Sequence, residues 1–329
     1  MIIDNHCHAG LNWFEPIELL EYQMKLNEVT KAVLIQHGGN YDNSYIIQCA
    51  EKQPEKFSAV VCVDSNDINS PAILKRLAKN PKVVGVRLRP NERFQHGDPL
   101  TLWKVAESEG LIVSCFAINA NLCATKEFDG LVRTISDTKI ILEHLGGVYI
   151  SRTPEVTKAP FTAFNNVLEL AQYNHTYMKF GGLGEFCDRP ETLTADIGFN
   201  DVPPLIEMAV HAFGYKRLMW GSDYTPVSQR EGYANALNIP LKSFFWCGKS
   251  LFKALFLSSK DFDKIICLTD KILSSSKNIC SVLHKPIPSA PNSLAVLLSA
   301  SVSAFVLTFN FLNSSAHFII VEKYPDISG

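Results

Sequence analysis

Two histidines one residue apart, His6 and His8, follow the apolar run Met1-Ile2-Ile3 at the start of the chain. If this run is a strand, its side chains alternate faces with a period of two, so both imidazoles project the same way. Two imidazoles at one strand end make half of a divalent-metal site. Further along, His144 ends the run 138–144 and Asp223 directly follows the run 217–222. Together His6, His8, His144 and Asp223 offer three nitrogens and one oxygen, a donor set that suits one Zn²⁺ and also accommodates Mn²⁺. Such an ion acidifies a bound water and polarises a carbonyl, and a carboxylate beside it can move the water's proton. Asp223 and His144 are therefore the candidate catalytic residues. Plainer roles exist for both: His144 as a packed core histidine, and Asp223 as a helix N-cap or an Asx turn before Thr225-Pro226.

The elements that must position these residues are legible as an alternation. Short β-branched runs occupy 1–5, 31–36, 58–63, 82–88, 111–117, 138–144, 176–181 and 217–222. Amphipathic segments lie between them at 15–27, 43–52, 71–79, 99–109, 127–136, 161–173 and 202–213, and 249–256 is the candidate for the last helix. Eight strands alternating with helices predict an α/β fold, a closed (β/α)8 TIM barrel over residues 1–256. In such a barrel active sites form at the C-terminal ends of the strands. His6 and His8, Gln36, Arg87 and Arg89, His144, Lys179 and Asp223 all fall at or near those ends.

Arg87 and Arg89 share a face of their strand, and an arginine pointing into a barrel needs an anion. Arg87 is thus a candidate clamp for a substrate carboxylate, with Arg89 or Arg93 as substitutes. Lys179 is suited to the same work or to pairing with Glu185, and Gln36 is a further candidate for substrate binding. The pairs Gly38-Gly39, Gly146-Gly147 and Gly181-Gly182 follow strand ends, where glycine permits close approach of a ligand. No phosphate-binding glycine loop is present after these strands.

Among 329 residues, 47% are hydrophobic and 19% charged, with a formal net charge of −2. That balance, without a dense Lys/Arg cluster, argues against nucleic acid as a partner and points to a small-molecule substrate. The nine cysteines form no CxxC pair and read as buried thiols in a reducing compartment, and a cytoplasmic location is expected. From residue 257 to 329 the pattern changes to a Ser-rich and apolar extension. Its segment 294–312 reads as a helix just long enough to span a bilayer, but its serines dilute the apolar character. A membrane anchor, a peripheral packed helix and a poorly ordered extension are the alternatives for it.

The ordered series Ile3-Asp4-Asn5-His6-Cys7-His8, Val33-Leu34-Ile35-Gln36, Gly85-Val86-Arg87-Leu88, Glu143-His144-Leu145-Gly146-Gly147, Lys179-Phe180-Gly181-Gly182-Leu183 and Trp220-Gly221-Ser222-Asp223-Tyr224 resembles the amidohydrolase superfamily. Within it, the series is similar to the amidohydrolase-related, lactonase-like branch of metal-dependent hydrolases. The resemblance covers residues 1–256 and implies a TIM barrel of the metallo-dependent hydrolase type, with His6, His8, His144 and Asp223 as metal ligands and Arg87 near the substrate. It also implies a monomer or homodimer. The fifth strand region, 111–117, lacks the histidine that decarboxylase relatives carry there, and Arg87 stands where a bridging lysine would, which favours a single metal. The expected activity is opening of a lactone by water activated by Asp223 and one divalent ion. Metal-dependent non-oxidative decarboxylation of a carboxylated aromatic or muconate-like substrate is the alternative, and a non-catalytic binding barrel is a third.

Overall fold

The computed structural model describes residues 2–149, 154–187 and 202–246, with three further strands between 293 and 321. Eight strands, β1 (Ile2–Cys7), β2 (Val29–Ile35), β3 (Phe57–Val61), β4 (Val83–Leu88), β5 (Ile112–Cys115), β6 (Ile140–Leu142), β7 (Thr176–Phe180) and β8 (Leu218–Trp220), form one sheet in sequential order. All neighbours are parallel, so every connection is a crossover. Helices α1 (Ile17–Leu26), α2 (Ser44–Lys52), α3 (Ser70–Ala78), α4 (Thr101–Ser108) and α5 (Lys126–Thr134) supply the first crossovers. A single turn α6 (His144–Gly147), then α7 (Thr162–Leu168), α8 (Leu205–Phe213) and α9 (Tyr233–Trp246), complete the outer ring. The expected (β/α)8 barrel is present.

The sheet closes where β1 meets the chain after β8. The His8 N–H donates to the Tyr224 carbonyl at 2.6 Å, and the Asp223 N–H to the His6 carbonyl at 2.8 Å. Asp4 fastens the seam from inside, accepting from the Ser222 N–H (2.8 Å), the Ser222 hydroxyl (2.5 Å) and the Tyr233 hydroxyl on α9 (2.9 Å). Burial nonetheless pushes the Asp4 carboxyl up to about 6. Gly221 is required here, because a Cβ on it would lie 2.4 Å from the His6 Cβ.

Period-two alternation stacks the barrel interior in two layers. The lower is apolar, a cluster of Val33, Ile35, Val60, Ile112, Ile141, Tyr177 and Met219. Two residues further along four of the strands the same face turns polar: Ile112 is followed by Ser114, Ile141 by Glu143, Tyr177 by Lys179, and Gly85 by Arg87. Glu143 is fully buried and binds this layer together. It accepts from Arg87 Nη2 at 2.6 Å and Nε at 3.0 Å, and from the Ser114 hydroxyl at 2.6 Å. Lys179 Nζ reaches the same hydroxyl at 3.1 Å. Burial alone would raise the Glu143 carboxyl, but Arg87, Lys179 and His144 outweigh it and hold it at about 2. The Lys179 ammonium is pushed down to about 8 by burial, with Glu143 opposing and Arg87 adding to the shift.

Among the described residues the last barrel helix is α9, residues 233–246, which the sequence conceals behind an internal Pro240; the expected helix 249–256 lies outside the described residues. One expectation is corrected. The segment 294–312 is not a helix. In the separate unit Lys271–Gly329, the strands β9 (Ser293–Leu298), β10 (Phe305–Leu312) and β11 (Ser315–Val321) form an antiparallel sheet in the order β11-β10-β9. Short runs rich in Phe, Val and Ile, alternating with Thr308 and Asn310, fit a strand better than a helix. Among the described residues no helix is long and apolar enough to cross a membrane.

Because the folded-state value of Glu143 lies below the ordinary one, its contribution is present above about pH 4.5 and lost as pH falls toward 2. By linkage that contribution is about 3 kcal/mol. Glu143→Gln is therefore expected to lower stability at pH 7 by at least this amount, since it also strands the Arg87 charge. In urea denaturation at a series of pH values, the gap between parent and variant should narrow steadily below pH 4.5. An undiminished gap in acid would contradict the assignment.

Candidate metal centre

The strand ends bring the four predicted ligands to one place above the polar layer. His6 and His8, on the same face of β1 as expected, lie with ring centroids 5.0 Å apart and nearly perpendicular. His144 comes within 4.7 Å of His6. Plain strand alternation would turn His144 away from Glu143's side of the sheet. Instead the backbone at His144 and Leu145 takes left-handed values, φ 50° and 53°, and swings the imidazole into the mouth. Asp223 also has a left-handed backbone, φ 54°. Non-glycine residues in this region carry strain that surrounding structure must hold in place, and two of these three, His144 and Asp223, belong to the predicted set.

The donor atoms divide into overlapping groups. His6, His8 and Asp223 form one, with Asp223 Oδ1 at 3.4 Å from His8 Nε2 and 3.7 Å from His6 Nε2. His144 belongs to two neighbouring groups, one with His6 and Glu143 and one with Glu185 and Asp223. His8 Nδ1 is 2.7 Å from the Ile35 carbonyl, which holds the ring and leaves Nε2 toward Asp223. Both ring nitrogens of His6 are buried without a hydrogen-bond partner. Burial, reinforced by His144 and Lys179, holds the His6 imidazole well below its ordinary value, hence neutral. A neutral imidazole without a hydrogen-bond partner, beside a second imidazole and a carboxylate, is an arrangement that a divalent cation satisfies. The cluster is thus able to coordinate a metal and to support hydrolysis or decarboxylation of a small cyclic substrate.

Residues to which the sequence reading gave no part in a metal site complete the centre. Arg230 Nη1 donates to Asp223 Oδ2 at 2.9 Å, which leaves Oδ1 toward the histidines. Burial would raise the Asp223 carboxyl, yet His144, His8 and Arg230 together place it well below the usual carboxylate range. Glu185, also buried, sits 2.9 Å from His144 Nδ1. Burial opposes protonation of His144, but Glu185 and Asp223 prevail and raise it. Arg230 lies in a turn with no strand pattern to single it out. Glu143 was detectable, since it stands two residues beyond the inward-facing Ile141.

The three predicted substrate-binding residues are committed within the protein. Arg87 serves Glu143 and, through Nη1 at 3.2 Å, the Gln36 carbonyl, and its guanidinium lies 4.3 Å from the Phe116 ring centre. Lys179 is bound to Ser114, and Glu185 pairs with His144 and Arg230 instead. The Gln36 side chain donates to the Asp42 carbonyl and accepts from the His37 N–H. Arg89, by contrast, is exposed beside Gly38, in a cleft also lined by Ser65, Asn66 and Arg87.

Comparison with known proteins agrees with this fold. An L-fucono-1,5-lactonase from Burkholderia ambifaria is 26% identical over 229 residues, 65% of this chain and 71% of the lactonase. An amidohydrolase from Burkholderia multivorans, solved with bound zinc, superposes with a TM-score of 0.62–0.63 across two crystal forms at 15% identity, covering 78% of this chain and 96% of its own. A Pseudomonas putida protein assigned to 2-pyrone-4,6-dicarboxylic acid hydrolysis gives 0.57 at 21% identity, covering 78% and 94%. At those identities the two structures share the fold. The family model described as Amidohydrolase matches residues 13–265, most of the chain, and this protein therefore belongs to the amidohydrolase family.

Proposed function

We propose that this chain opens a small cyclic ester, a lactone, by hydrolysis at the C-terminal mouth of the barrel. One divalent ion, Zn²⁺ or Mn²⁺, would be held by His6, His8 and Asp223, with His144 beside them. The observation that carries this reading is the pair of buried, unpartnered His6 nitrogens next to His8 Nε2 and Asp223 Oδ1. When bound, the ion supplies Lewis acidity to the substrate carbonyl and makes a water more acidic. Asp223, held by Arg230 through one oxygen, takes the proton of the attacking water with the other. His144, steadied by Glu185, returns a proton to the departing alkoxide. Arg89 takes over the anchoring role first given to Arg87, because its guanidinium faces the cleft while that of Arg87 is spent on Glu143.

Decarboxylation of a small carboxylated ring is the second reading, and one observation favours it. Carbon protonation needs a poised acid, and the strand-5 region supplies no histidine. The buried His144–Glu185 pair provides such a group from strand 6 instead. Both readings use the same residues and differ in product.

The full-length protein, supplied with Zn²⁺ or Mn²⁺, is to be assayed against a lactone panel by acid release and against carboxylated aromatics by CO₂ release. Lactone opening without CO₂ is expected, and Asp223→Asn should reduce it by about 10²–10⁴-fold, the usual share of a positioned general base. Release of CO₂ with no lactone opening would establish the second reading. Turnover unaffected by Asp223→Asn would contradict both.

A further inference from the structure

The loop joining β1 to α1 leaves one tryptophan almost uncovered. Trp13 is 76% exposed, whereas Trp103 and Trp220 are buried in the core. Its indole lies nearly flat on the His37 ring, with centroids 4.9 Å apart and planes 25° apart. The next residue, Phe14, stacks on His8 at 4.6 Å and 10°, and meets His37 edge-on at 5.4 Å. Trp13, His37, Phe14 and His8 thus form a continuous series of touching rings, running from solvent to the candidate metal centre.

Nothing in the packing of the loop calls for a tryptophan at that position. The residues that seat α1 on the barrel are Ile17, Leu20 and Met24. Beside the ring series lies a cavity of about 410 Å³ whose wall includes Gly10, Trp13, Phe14, His37 and Gly39. That volume suits one substituted ring. Gly39 also borders the neighbouring cleft that presents Arg89, whose guanidinium makes no hydrogen bond or ion pair among the described residues. A flat π-surface and an available guanidinium therefore meet at one edge of the mouth. Aromatic faces favour partners that lie parallel at van der Waals distance, which a planar ring can do and a saturated ring with out-of-plane substituents does poorly.

We infer that Trp13 is a specificity-determining residue, forming with His37 a stacking platform that selects substrates with a planar, unsaturated ring over saturated or polyhydroxylated ones. The inference deepens the reading of the site given above and rests on it for where the substrate reacts. Recognition itself needs no turnover, so the two can fail separately.

The test is equilibrium binding to the full-length protein, by titration calorimetry, of two dicarboxylates that differ in ring planarity: phthalate and cis-cyclohexane-1,2-dicarboxylate. Phthalate is expected to bind about tenfold more tightly. Trp13→Ala should weaken phthalate about tenfold, Trp13→Phe should retain most of the affinity, and neither should change binding of the saturated acid. The thermal midpoint of each variant reports that the loop substitution leaves the barrel intact, and the parent comparison stands without any variant. Equal affinity for the two acids, no measurable binding of phthalate, or phthalate binding indifferent to Trp13→Ala would each overturn the inference. A null result in the turnover assays alongside a tenfold phthalate preference would remove the proposed reaction and leave the platform standing.

Discussion

A single buried ion pair, Glu143 with Arg87, sets the geometry at the C-terminal end of this barrel. Two charges removed from water cost several kcal/mol each unless their geometry and remaining hydrogen bonds are nearly ideal. Here Arg87 grips one carboxylate through two nitrogens, Ser114 supplies a third donor, and Lys179 stands behind that hydroxyl. The pair spans β4 and β6, with β5 threaded between by Ser114, so three strands are fixed in one plane. Burial above all, with His144 and Lys179 adding to it, keeps the imidazole of His6 neutral. A neutral imidazole has a lone pair to give to a metal.

The site over this layer is held by a second set of constraints. Closure of the sheet through the Asp223 N–H and the His6 carbonyl joins the first and last strands at the very residues whose side chains converge. Left-handed backbone at His144 and Asp223 aims both side chains inward at an energetic cost that Glu185 and Arg230 help to offset. Gly221 lets β8 approach His6 closely enough for this to happen. His8, His144 and Asp223 are thus each fixed by a partner outside the ligand set, the arrangement that tunes metal affinity in other proteins.

Much of this was legible in the chain. Eight short apolar runs gave the barrel, because period and spacing are local properties. The His6/His8 pair and Asp223 announced themselves by position, since side chains two apart share a face and strand ends face the mouth. What escaped detection depends on contacts distant in sequence. Arg87 was read correctly as an inward cation needing an anion, but its anion is Glu143, 56 residues away, and no local pattern pairs them. Arg230 and Glu185 lie in turns without periodicity. The helix α9 was hidden by Pro240, and the 294–312 run was ambiguous because apolar length alone does not separate a helix from a pair of strands. The exposed ring of Trp13 is visible only once the loop is folded.

The central claim is that His6, His8 and Asp223 are arranged to hold one divalent ion. It is tested most directly by elemental analysis of the full-length protein after equilibration with Zn²⁺ or Mn²⁺ and removal of the excess, alongside a His6→Ala/His8→Ala variant whose fold is verified by circular dichroism. The account predicts close to one equivalent of metal in the parent and a substoichiometric trace in the variant. A folded parent that retains no metal, or a variant that retains as much as the parent, would contradict it.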